Sequence, residues 1–276
     1  MHHANHFYGH AHVLAAYCGL DPEDPPRING YLQHGWNVVD GLGAGTPYVS
    51  GRPIYVWSEQ TRRRAWSMGR RYATTVGAPF LYLLSMAEPG DGTPREGTIW
   101  YPFHGWEGQH IAGDHQRLID EILETEDGPV TFCLYWHEYR DDRTRRRYEE
   151  AGRVICHGYR GLRWRDTDTR FLHHQLTELR RHRRVASNRL SSAVLYGAAV
   201  GCEPAVYGDP MQLAGEVRTI ADRIRRTWPE LHGAHPDPVA AQESARAELG
   251  ADVLASPPSC GRSSDGPAHD PATPRW

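Results

Sequence analysis

The 276-residue sequence predicts an α/β fold built on parallel sheet. Three observations predict it. Between residues 98 and 208, short apolar runs alternate with helical patterns, the rhythm of βαβ units. Residues 1–85 carry a thinner version of the same alternation. Between the two, "MAEPGDGTPREGT" (86–98) is rich in Gly, Pro and charge and reads as a linker.

The elements follow in order. "HFYGHAHVLAAYC" (6–18) has apolar residues at near-helical spacing and stops at Gly19 and "DPEDPP". "INGYLQHGW" is an apolar run closing on His34-Gly35, and "GLGAGTPYVSGRP" is loop. "IYVW" reads as a strand, with Ser58 as N-cap of a helix from Glu59 to about Arg71. "VGAPFLYLL" is another short apolar run.

The second half begins with "IWYPF", a strand. "GDHQRLIDEILET" is an amphipathic helix with Leu118, Ile119, Ile122 and Leu123 on one side. "PVTFCLYW" is a buried strand, "DDRTRRRYEEAG" a charged helix and "RVICHG" a strand. "DTRFLHHQLTELRRH" is a helix, "RVASN" a strand, "SSAVLYGAAVG" a helix and "EPAVYG" a strand. "MQLAGEVRTIADRIRRTW" and "HPDPVAAQESARAELG" read as closing helices, and the chain from about Ser256 as disordered.

Composition narrows the function. The formal net charge of −3 argues against a general nucleic-acid binder. All the basic charge beyond histidine is Arg; without Lys, no Schiff-base lysine chemistry is available. Five scattered Cys with no CxxC pair fit a reduced, cytoplasmic compartment. No signal-peptide pattern and no apolar run of membrane-spanning length is found, which leaves room for peripheral membrane association only.

In a parallel sheet, ligands bind beyond the carboxyl ends of the strands. The loops there are "HGW", "FHGWEGQH", "WHEYRDD", "HGYRG" and "SNRLSS", and they concentrate His, Trp, Glu and Arg. "SNRLSS" leads into a helix, whose first turn carries free N–H groups and a partial positive charge suited to phosphate. Ser191 and Ser192 add hydroxyls, and Ala193, Gly197, Ala198 and Ala199 let that helix lie close to the sheet. The competing explanation is that Ser187, Asn188 and Ser191 are ordinary helix caps.

The run "SNRLSSAVLYGAAVGCEPAVYGDP" resembles the nucleotide-binding motif of the CDP-glycerol glycerophosphotransferases and related capsule and cell-surface polysaccharide glycosyltransferases. "YLQHGW" resembles the same group's His-Gly motif, and "PIYVWSEQTRRRAW…VGAPFLYLL" the strand, helix and Gly-x-Pro ending beside it. The resemblance spans roughly residues 28–210 and implies GT-B architecture: two Rossmann-like domains facing a cleft, the N-terminal one short. The expected division is an acceptor-side domain at 1–85, the linker at 86–98 and a donor-binding domain at 99–230. A C-terminal helix (231–255) and a disordered tail (256–276) complete it. Two positions depart from the family pattern: Asn188 stands where Asp is usual, and Trp36 follows the His-Gly pair in place of Thr-Pro.

The resemblance implies that His34 acts as general base on an acceptor hydroxyl, and that Ser191 and Ser192 bind the donor diphosphate, bordered by Ser187 and Asn188. Arg160 and Arg189 are candidates for phosphate on position and chemistry alone. His104, Trp106, Glu107 and His110 lie in the first loop of the second half; Trp106 suits stacking, and Glu107 suits hydroxyl binding or acid/base work. His137 and Glu138 end a central strand in the same predicted crevice, whereas Glu203 is expected to be structural. His6 and His10 share i,i+4 spacing, a metal-ligand pattern, but no carboxylate accompanies them; no metal or other cofactor is expected.

The expected function is transfer of a sugar or polyol-phosphate from a nucleotide-activated donor to a hydroxyl on a glycan, lipid-linked or small-molecule acceptor. The alternatives are a nucleotide-sugar epimerase of the same fold, using Glu107 and Glu138, a non-catalytic nucleotide-sugar-binding protein, and a His-rich metallohydrolase.

Overall fold

A computed structural model describes residues 3–39, 41–42, 51–90, 92–105, 111–160, 166–217 and 219–256. The chain forms two parallel sheets flanked by helices, the α/β arrangement of two Rossmann-like units.

The first sheet has three short strands in the order β1 (Tyr31–Leu32), β2 (Ile54–Val56) and β3 (Ala73–Thr75), all parallel. Helix α2 (Glu59–Ser67) joins β2 to β3, and Ser58 caps it by accepting the N–H of Thr61 at 3.2 Å. The apolar run at 76–84 is largely helix: α3 spans Pro79–Met86, with proline at its start, where no N–H is needed. At the N-terminus, helix α1 (His10–Tyr17) follows a 3₁₀ segment, His3–Gly9, broken at Phe7 and Tyr8, the latter at φ 59°. This break changes the expected helix. His6 and His10 no longer share a face, and His6 Nδ1 lies 3.4 Å from His12 Nε2 instead.

The second sheet has five parallel strands: β4 (Thr98–Tyr101), β6 (Val130–Cys133), β7 (Arg153–Ile155), β8 (Arg184–Ser187) and β9 (Glu203–Val206). Their spatial order is β7-β6-β4-β8-β9. The chain runs outward from β4 on one side, then returns to lay β8 on the other. The crevice between the carboxyl ends of β4 and β8 is therefore the topological switch point, where such sheets bind ligands. Strands β6 and β8 are buried along their whole length, as expected with helices on both faces.

Helix α4 (His115–Thr125) buries Leu118, Ile119 and Ile122, but Leu123 is exposed, contrary to the expected face. The strand predicted to reach Trp136 stops at Cys133, where pairing with β7 ends, and the chain turns into a one-turn helix α5 (Trp136–Arg140). His137 and Glu138 thus lie on a helix, not at a strand end. Helices α6 (Asp142–Glu149), α7 (Phe171–Leu179) and α8 (Ser192–Val200) complete the crossovers. The long helix expected from Met211 divides. Gln212–Leu213 forms β10, antiparallel to β5 (Ile111–Ala112), before α9 (Thr219–Thr227) and α10 (Pro238–Leu249).

Two apolar clusters hold the second sheet. One, on the α4 and α6 side, contains Trp100, Leu118, Ile122, Phe132 and Tyr148. The other contains Ile99, Val185 and Val194 and continues without interruption to Trp36, Trp57 and Phe80 of the first half and to Trp228 and Leu249 of the last helices. Phe80 stacks on Tyr196 of α8 with ring centroids 4.2 Å apart. Burying such rings is the main driving force that holds the halves together. Two glycines permit the contacts. A Cβ on Gly197 would lie 2.3 Å from Val185, so only glycine lets α8 rest on β8; at Gly250 (φ +70°) it would lie within the Trp57 carbonyl.

Candidate functional site

The site is built at the carboxyl edges of the strands, where five loops converge. Gln33, His34, Gly35 and Trp36 follow β1. Gln33 is fully buried: its Oε1 accepts the Trp57 N–H at 2.8 Å and its Nε2 donates to the Gly35 carbonyl at 3.0 Å. The Trp36 N–H donates to Ser192 Oγ at 2.8 Å. The predicted His-Gly turn and the predicted serine-bearing helix start, 156 residues apart, are thereby brought into direct contact.

Ser191 is the N-cap residue of α8, yet its buried Oγ makes no hydrogen bond among the described residues. Ser192, by contrast, is engaged by Trp36 and by Tyr196. Ser187 is buried and its Oγ accepts the Arg189 N–H at 3.2 Å.

Asn188 sits at the switch point itself. Its Oδ1 accepts the Phe103 N–H at 2.7 Å, and its Nδ2 donates to the Asp209 carbonyl at 2.7 Å. One end of the amide must accept and the other must donate, which is why asparagine suits this position and an aspartate would not. Arg189, expected beside phosphate, is turned inward. It makes a bidentate pair with Glu216, both contacts 2.7 Å, and also donates to the carbonyls of Pro210 and Met211. In this structure its guanidinium anchors the 210–216 loop.

Arg160 lies beyond β7 with its guanidinium 4.7 Å over the ring of Phe7. The same ring meets His34 edge-to-face at 5.8 Å. Phe7 therefore separates and aligns two predicted site residues from opposite halves, and the left-handed Tyr8 turns the chain to place it there. His10 is buried beside His34; desolvation first, and then that neighbour, hold its pKa down at about 3, so it stays neutral.

Beyond β4, the 102–105 loop links the two sides of the crevice. Phe103 is held by Asn188, and the Gly105 N–H donates to Glu138 Oε1 at 3.1 Å. His104 stacks on Tyr135 at 4.1 Å, and His137 is exposed and packs on Trp136 at 4.1 Å. Glu138 is the most perturbed carboxyl of this region. Burial pushes its pKa up to about 7, against the smaller opposing effect of backbone N–H donors, and its Oε2 is buried with no hydrogen bond among the described residues. A carboxyl that is half protonated near neutrality can give and take protons. Trp106, Glu107 and His110 lie outside the described residues. Glu203, expected to be structural, pairs with Arg183 at 3.2 Å.

Among the described residues, no group of three His, Cys, Asp or Glu side chains is placed to hold a metal ion. No described helix is long and apolar enough to cross a membrane. Three residues that matter were not visible in the sequence. Phe7 and Gln33 look like ordinary apolar and polar positions. Glu248 on α10 has the spacing of any surface helix acid, yet it is 2% exposed and bonded to Trp36, Arg64 and Trp228.

No family model matches the chain, and no curated protein matches it. Among solved structures, it is similar to Os79 from O. sativa in complex with UDP, with a TM-score of 0.37 and 14% identity, covering 72% of this chain and 48% of that one. It is also similar to S. aureus MnaA in its UDP co-structure, with a TM-score of 0.37 and 8% identity, covering 73% and 61%. The chain thus spans about half to three-fifths of the length of these structures.

Proposed function

We propose that the chain is a transferase that binds a nucleotide-activated sugar or polyol-phosphate at the carboxyl edges of β4 and β8 and passes the activated group to a hydroxyl acceptor. The observation that carries this reading is the contact of the His34 turn with the start of α8 at the switch point. A base and a phosphate-binding helix start then face one reaction space.

In this reading the donor diphosphate lies at the first turn of α8, where free N–H groups, the helix dipole and the Ser191 hydroxyl, which has no hydrogen-bond partner among the described residues, favour negative charge. Arg160 adds fixed positive charge from the β7 side. His34 takes the proton of the acceptor hydroxyl as its oxygen bonds to the transferred group, and the bond to the nucleotide phosphate breaks. The helix start and Arg160 stabilise the charge on that leaving phosphate. Helix dipole and guanidinium supply this stabilisation without a metal.

A second reading, an epimerase acting on the same class of donor without an acceptor, is favoured by one observation: Glu138, a carboxyl poised near neutral pKa beside the crevice. A donor screen separates the readings. CDP-, UDP-, GDP- and dTDP-linked compounds are tested by saturation-transfer NMR, then incubated with and without glycan or polyol acceptors, with products read by intact mass. The transferase reading expects free nucleotide only when an acceptor is present. It expects His34→Ala to bind donor and lose turnover. A changed sugar with no acceptor supports the epimerase, and failure of every nucleotide to bind ends both readings.

A further inference from the structure

The geometry points to Glu248 as a positioning residue for the His34 turn. Glu248 lies near the end of α10, almost 250 residues from the chain's start, and its carboxylate is fully buried. Four donors converge on its two oxygens. Arg64 donates to Oε1 at 3.0 Å and to Oε2 at 2.7 Å, Trp228 Nε1 donates to Oε1 at 3.1 Å, and Trp36 Nε1 donates to Oε2 at 2.8 Å. The two indoles also meet edge-to-face at 4.9 Å, and Arg64 lies 5.3 Å over the Trp228 ring.

A buried carboxylate is expensive in itself, and an apolar side chain would often serve stability as well. The geometry it enforces gives this one a use. Trp36 is held at both ends, its indole by Glu248 and its backbone N–H by Ser192. Gly35 is held by Gln33, and Gln33 by the backbone of Tyr55 and Trp57. The residues on both sides of His34 are therefore pinned, two by the first half of the chain, one by α8 and α10. Helix α10 reaches back over the first half, where the Leu249 carbonyl also accepts the Ala78 N–H at 2.9 Å. Glu248 makes the aim of the His34 ring depend on the last helix.

Only the consequence for turnover rests on the reading of His34 as the acceptor base. The positioning itself is tested without any substrate. In protein labelled with ¹⁵N-histidine, the ring signals of His34 are assigned by their loss in His34→Ala. Trp36→Phe removes one indole N–H and leaves the Arg64–Glu248–Trp228 contacts in place; Glu248→Gln loosens the whole set at constant shape. Both are expected to move the His34 ring signals and its titration midpoint, while His115, bonded to Tyr148, stays unchanged. Ile122→Ala, which weakens the opposite core, is expected to lower Tm and leave His34 in place. If Trp36→Phe folds with His34 signals superimposable on the parent's, the inference is overturned. It is also overturned if Ile122→Ala shifts them equally. Where the donor screen has yielded turnover, Trp36→Phe should lower kcat by on the order of tenfold to a hundredfold with donor KM unchanged. A shifted His34 with unchanged kcat would uphold the positioning and remove His34 as base.

Discussion

The Trp36 N–H and Ser192 Oγ are 2.8 Å apart, and this single bond joins the turn after the first strand to the first turn of α8. The two motifs most suggestive of chemistry are thus parts of one surface. The same bond divides the serine pair: Ser192 Oγ is bonded across the two halves, whereas Ser191 Oγ has no hydrogen-bond partner among the described residues.

Ser192→Ala should therefore act first on stability. It strands the N–H of buried Trp36, at a cost of about 1–3 kcal/mol. In a chain of this size that lowers Tm by several degrees, measurable by calorimetry. Ser192→Thr, which keeps the oxygen, should recover most of the loss; equal losses in both variants would show that the hydroxyl is not the partner that matters.

Asn188→Asp should destabilise the chain. The carboxylate still accepts from Phe103, but it faces the Asp209 carbonyl with no proton to donate. A loss of about 1–3 kcal/mol in urea unfolding is expected. Unchanged or raised stability would show that Asn188 does not bridge Phe103 and Asp209.

Glu138 links the site to pH. Its folded pKa of about 7 lies above the ordinary carboxyl value, so the folded state holds this proton more tightly than the unfolded chain does. The group therefore adds stability at pH 4 and below. That contribution is lost as pH rises from the ordinary carboxyl range to about 7, and amounts to as much as roughly 3 kcal/mol. Glu138→Gln should flatten this part of the profile, so that parent and variant differ far more at pH 8 than at pH 5. Parallel profiles would refute the assignment.

Arg189→Ala should release the 210–216 loop. It leaves Glu216 half-buried without its partner and removes the donors to Pro210 and Met211, a change of about 3–5 kcal/mol by analogy with broken buried pairs. Hydrogen exchange should rise first at Met211 to Glu216, and a uniform rise over the sheet would instead indicate global weakening.

Much of the fold is legible along the chain because its cues are local. Ser58 caps its helix, Pro79 starts one, and the apolar runs at β4, β6 and β8 carry the composition of strands covered on both faces. The errors fall where a tertiary partner decides. Tyr135 and Trp136 have strand-like side chains, but β7 ends its pairing at Cys133, so the chain turns and carries Glu138 onto a helix. Gln212 and Leu213 leave the helical pattern because β5 offers them backbone partners.

The sequence by itself determined the α/β class, the alternation that makes the sheets parallel, and the set of loops rich in His, Arg and Trp at their carboxyl ends. Periodicity and capping operate over a few residues, so a linear reading reaches them. Only the tertiary structure decided which of those side chains are free to act. Arg189 looked like a phosphate ligand and is held by Glu216, Ser192 is taken by Trp36, and Glu138 gains its unusual pKa from burial. Hydrogen bonding and desolvation depend on atoms brought together from distant parts of the chain, and no spacing along the sequence encodes them.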